Sequence, residues 1–101
     1  MHFLVTAYDG TDDGAVMRRQ KAREKHLEGV KRNIAESKHL FGAAILDEEG
    51  KMVGSMLVVD YSTKEVLFDE WLKREPYVLD NVWENIEVLP CKVPDFFLAR
   101  D

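Results

Sequence analysis

The chain is poor in cysteine. Cys91 stands alone among 101 residues, so no disulfide can close within the molecule and no thiolate pair can anchor a metal; packing near a strand end is its expected role. Long hydrophobic runs are also missing, and nothing approaches the roughly 20 apolar residues that cross a bilayer as a helix. The opening MHFLVTAYDG lacks the basic start and extended apolar stretch of an export signal, which makes the cytoplasm the expected location. There is no surplus of positive charge. Lys and Arg number 14 against 19 Asp and Glu, a net charge of -5, whereas a phosphate backbone demands a broad basic face. Nucleic acid is therefore not an expected partner, and neither is a membrane. Gly10-Thr11-Asp12-Asp13-Gly14 has no phosphate-loop lysine, and Asp9, Asp12 and Asp13 lack the closing glutamate of a calcium loop. Turn and helix-capping roles explain these acids.

What is present is a chain 46% hydrophobic and 33% charged, the balance of one small globular domain over residues 1–101. HFLVTAY, residues 2–8, is rich in β-branched and aromatic types and ends at Asp9-Gly10, a strand and then a turn. From about Gly14 to Ser37 the spacing predicts a long helix with Val16, Leu27, Val30 and Ile34 on its apolar face. LFGAAILDEEGKMVGSMLVVD then reads as a β-hairpin reversing at Asp47-Glu48-Glu49-Gly50. Ser62-Thr63-Lys64-Glu65 matches a capping box that starts a second helix with Ser62 as the cap. That helix carries Val66, Leu67 and Trp71 and must stop at Arg74-Glu75, because the residue before Pro76 is pushed out of helical geometry. Val82, Glu84, Ile86 and Val88 alternate with Trp83, Asn85 and Glu87 up to Pro90, the pattern of a last strand.

The order β-α-β-β-α-β is the ferredoxin-like arrangement, an α+β fold whose antiparallel sheet carries two helices on one face. FLVTAY and SMLVVDY place apolar residues on both faces, so the helix-free face needs a cover, and a second copy of the chain supplies the simplest one. A homodimer is the expectation.

Within the first helix, Arg19 and Arg23 precede His26 by seven and three positions, so the three lie along one stripe beside the apolar arc. Two readings stand. In one the stripe is a solvated face on which Arg23 lays its stem over apolar neighbours. In the other it holds an anion, and the guanidinium groups favour the neutral imidazole that a general base requires. His2 and His39 sit at strand entries where a histidine packs. Trp71 and Trp83 read as core or interface anchors.

The ordered set AYDG, RRQKAREKHLEGV, GAAILDEEGKMVGSMLVV and REPYVLDNVWENIEVLPCKV resembles the YciI-like (YCII-related) proteins across nearly the whole chain. The resemblance implies a dimeric α+β barrel and a catalytic pair made of the helix histidine and the acid before Pro-Tyr, here His26 and Glu75. It also implies a small Gly54-Ser55 pair beside the pocket. Two departures stand out. Glu75 replaces the usual aspartate, and Leu79-Asp80-Asn81 replaces a commonly glycine-rich turn. Joined to the helix stripe, the resemblance assigns ligand binding to Arg19, Arg23, Ser55 and Tyr77, with no metal and no cofactor.

Such a set suits proton abstraction, isomerisation or elimination on a small anionic or aromatic metabolite. The resembled family includes a branch that removes halide from a hydroxylated ring. The alternative is a dimeric module that binds a small ligand, or serves as an accessory subunit, without turnover. A third reading, a structural dimer, requires a cleft filled by the protein's own side chains. The catalytic reading is favoured because a buried acid beside a histidine costs stability unless it is used.

Overall fold

The computed structural model describes residues 1–98; positions 99–101 of the expected domain lie outside the described residues. Strand β1 is His2–Asp9, helix α1 Ala15–Ala35, β2 His39–Leu46 and β3 Met52–Asp60, followed by α2 Lys64–Glu70, a 3₁₀ turn Leu72–Arg74, α3 Pro76–Leu79, β4 Trp83–Cys91 and a last turn, α4, Asp95–Leu98. The strands form one sheet in the order β2-β3-β1-β4, every neighbour antiparallel. This is the expected ferredoxin-like α+β topology. Among the described residues no helix is long and apolar enough to cross a membrane.

Alternation along β1 sends Phe3, Val5, Ala7 and Asp9 to the helix side, where Leu57 and Val59 of β3 meet them and Leu67, Trp71 and Tyr77 complete the core. The opposite face is half-covered at best. Leu4, Thr6, Phe41, Met56 and Val58 are partly exposed there, and Leu89 is exposed.

The hairpin turns as its residues demand. Asp47 Oδ1 accepts from the amides of Glu49 and Lys51, both at 2.9 Å, and Gly50 takes φ +85°, which glycine adopts without a Cβ penalty. The second helix begins one residue later than expected: Thr63, not Ser62, is the cap, and its Oγ1 accepts from Val66 N at 3.1 Å. Regular α2 ends at Glu70, and the 3₁₀ turn carries the chain to the expected stop, where Glu75 is extended (φ -64°, ψ 125°) ahead of Pro76. Asn81 explains the missing glycine turn. It sits at φ 57°, a left-handed conformation that asparagine tolerates better than most residues.

Helix α1 corrects one expectation. Its buried residues are Ala15, Arg19, Ala22 and His26, while Val16, Leu27 and Ile34 are exposed and Val30 is half-buried. The reason is distance. Ala22 has no bulk to hold the helix off the sheet and is 0% exposed, while Arg19 and His26 on the same stripe turn inward to Asp9 and Glu75, so the large apolar side chains are displaced to one flank.

Candidate active site

The broken second helix delivers Glu75. From an extended backbone its carboxylate both caps α3 and turns inward to meet three donors: Oε1 accepts from Tyr77 N at 3.2 Å and from His26 Nδ1 at 2.5 Å, and Oε2 accepts from Trp71 Nε1 at 3.0 Å. Glu75 is 2% exposed, and a carboxylate at that depth is sustained by such bonds. The longer side chain therefore spans the gap to the histidine. His26 stacks on Tyr77, with ring centroids 4.0 Å apart and planes 11° from parallel, and Trp83 meets it edge-on at 5.9 Å. Ring contacts and the Glu75 bond together fix the imidazole. Its other nitrogen, Nε2, has no partner among the described residues and is not sealed from solvent. With Glu75 ionised, Nδ1 carries the proton and Nε2 presents a lone pair.

A second network lies beside this one. Arg19 Nη1 reaches both oxygens of buried Asp9 at 2.9 and 3.0 Å, and Nη2 donates to Gly54 O at 3.2 Å and Ser55 Oγ at 3.1 Å. The guanidinium also lies 4.9 Å from the centre of the Tyr77 ring. Trp83 Nε1 donates to the same Ser55 oxygen at 3.1 Å. A bulge makes this possible: Tyr8 pairs with Asn85 but Asp9 with Trp83, so Glu84 is the extra residue and the indole is switched to the helix side. Gly54 is required by close approach, since a Cβ there would fall 2.5 Å from Ala7 O in the neighbouring strand.

Between α1 and the β2-β3 edge lies a cavity of about 310 Å³. Arg19, Arg23, His26, Ser55 and Tyr77 border it, and Leu27, Val30, Ile34, Ala44, Met52 and Leu57 give it apolar walls. The displaced arc of α1 thus walls a pocket. Five of the six residues expected at the site share this cavity, and Glu75 stands behind His26. Arg23 is exposed and makes no ion pair among the described residues, whereas Arg19 commits both terminal nitrogens to the protein. Burial raises the Tyr77 hydroxyl above its ordinary pKa, opposed by the charges of Arg19 and Arg23. A roomier groove of about 530 Å³ runs along Lys38, Tyr61, Glu70 and Arg74, but neither His26 nor Glu75 lines it. Among the described residues no cluster of His, Cys, Asp and Glu is placed to hold a metal ion.

Asp9, Trp71 and Trp83 belong to the site, although turn and core roles were expected of them. The position of Asp9 was signalled by its parity with Phe3, Val5 and Ala7, which puts an acid on a buried face. No such signal existed for Trp83, because the bulge reverses its parity. His39 is buried as expected, 4.7 Å edge-on to Trp71, and neither of its ring nitrogens has a partner among the described residues.

A family model for the YCII-related domain matches residues 1–92. The chain belongs to the YCII-related family. Among solved structures, this YCII-related chain is similar to the 5-chloro-2-hydroxyhydroquinone dehydrochlorinase of Burkholderia phenoliruptrix in complex with 2,5-dihydroxybenzoquinone, with a TM-score of 0.77 and 19% identity over 95% of this chain and 98% of that one. At that identity the likeness shows a shared fold. No curated protein matches the chain.

Proposed function

We propose that the protein is a small cytoplasmic enzyme that moves a proton on a small anionic or aromatic metabolite, with His26 as the base and Glu75 as its partner. The observation that carries the reading is the Glu75–His26 Nδ1 bond behind an imidazole whose Nε2 is left for the cavity. Nε2 takes a proton from an acidic C–H or O–H of the ligand, and the bonding pair stays on the ligand. Glu75 stabilises the resulting imidazolium. Return of the proton to another atom gives isomerisation, and loss of a leaving group gives elimination. The dehydrochlorinase name of the structural neighbour supports the second outcome. Arg23 draws an anionic ligand to the mouth, and the apolar flank of α1 holds its body. A second copy of the chain covers the apolar sheet face.

Proton exchange in D₂O over a panel of hydroxylated aromatics, enolisable acids and lactones tests this reading. The wild type exchanges one carbon-bound ligand proton, and His26→Asn slows that exchange by about 10²-fold or more. Exchange that survives in His26→Asn contradicts the assignment.

A further inference from the structure

Ser55 borders the same cavity as His26 and faces α1 from β3. A serine oxygen has two lone pairs and one proton to offer. Both lone pairs are engaged from inside the protein, by Arg19 Nη2 at 3.1 Å and by Trp83 Nε1 at 3.1 Å. Neither partner can reverse its role, because guanidinium and indole N–H groups only donate. The Ser55 proton, in contrast, has no acceptor among the described residues.

We propose that Ser55 is a one-way hydrogen-bond donor into the cavity, and that Arg19 and Trp83 are the positioning residues that fix its polarity. Asp9 holds Arg19 in place through both carboxylate oxygens, and Trp83 braces the Ser55 oxygen while its ring edge rests on His26. The pocket therefore presents two groups of opposite polarity, an acceptor at His26 Nε2 and a donor at Ser55 Oγ. The ligand class follows, and it rests on the reading of His26 as a base: an apolar-bodied compound with an acidic O–H or C–H beside a carbonyl or oxyanion oxygen. As the proton passes to Nε2, the bonding pair shifts toward that oxygen. Ser55, polarised by its two donors, meets the charge where it develops. A compound with a hydroxyl at the second place offers Ser55 only the weaker acceptor of a phenol oxygen, and its own proton finds no lone pair free on a serine already held by Arg19 and Trp83.

Binding of two probes, followed by NMR shifts of backbone amides and of the His26 imidazole, tests this. Tropolone carries a hydroxyl beside a carbonyl oxygen. Catechol, kept reduced with ascorbate, puts a second hydroxyl in the carbonyl's place. Wild type binds tropolone more tightly, Ser55→Ala weakens tropolone about tenfold and catechol less than twofold, and Ser55→Thr, which keeps the hydroxyl, restores the preference. Trp83→Phe frees one lone pair, so catechol gains and the ratio of the two affinities narrows about fivefold. A purely structural role for Trp83 predicts that both probes weaken together at a constant ratio, and that result overturns the inference. If tropolone shifts His26 but ignores Ser55→Ala and Trp83→Phe, the polarity assignment is wrong while the base reading survives. If neither probe shifts His26 in wild type, both fall.

Discussion

His39 and His26 are both buried and differ in what their nitrogens meet. Glu75 partners one nitrogen of His26, while His39 has Trp71 and Tyr61 at its edges and no hydrogen bond among the described residues. Desolvation therefore pushes the His39 imidazole down from 6.5 to about 4, with Glu75 opposing and His26 adding to the effect. Between those two values the unfolded chain holds the extra proton, so acid favours unfolding. Stability is lost as the pH falls from 6.5 toward 4, and below that this residue contributes no further slope. The gap corresponds to roughly 3 kcal/mol. Urea denaturation at stepped pH should show the wild type losing about that much more than His39→Phe across the interval, and parallel losses would contradict the account.

The elements place these residues, and α1 does so through a stripe in which Ala15 and Ala22 alternate with Arg19 and His26. Ala22→Leu should destabilise the fold by about 1–3 kcal/mol by forcing the helix off the sheet, whereas Ile34→Ala, at a position 55% exposed, should change stability by less than about 1 kcal/mol. Chemical denaturation of the two variants checks the order, and a larger loss at Ile34 would refute this packing. The same helix shows where the sequence was readable and where it was not. Periodicity revealed the element, but apolar residues marked the wrong face, since an alanine contributes little to an amphipathic pattern and can still decide the closest approach. The capping residue was misplaced by one because Ser62 and Thr63 are adjacent and chemically alike, and helix geometry alone selects between them. Pro76 dictated the stop and so left Glu75 extended. Trp83 was hidden by an extra residue in β4, an event that side-chain alternation cannot register. Of the candidate residues, His26 and Glu75 were legible together only through the family resemblance, since they lie 49 positions apart in the chain.

At the scale of the molecule, α1, α2 and α3 pack on one face of a four-stranded sheet and leave the other with a continuous band of Leu4, Thr6, Phe41, Met56 and Val58. Apolar side chains gathered on a sheet face that no helix covers favour association with a second such face, and light scattering at micromolar concentration should give twice the chain mass. Val58→Lys, in the middle of the band, should return it to one. A wild-type protein that scatters as a monomer would remove the dimer from the account. All the elements nevertheless converge on one bond: α1 carries His26, the kinked passage from α2 to α3 carries Glu75, and the β4 bulge sets Trp83 against the histidine ring. The measurement that tests this most directly is the ¹⁵N spectrum of the His26 imidazole through a pH titration, in wild type and in Glu75→Gln, with His2 and His39 as internal controls. Neutral His26 should carry its proton on Nδ1 in the wild type, and Glu75→Gln should alter the tautomer and titration of His26 while leaving the other two unchanged. A His26 protonated on Nε2, or one that ignores the loss of the carboxylate, would contradict it.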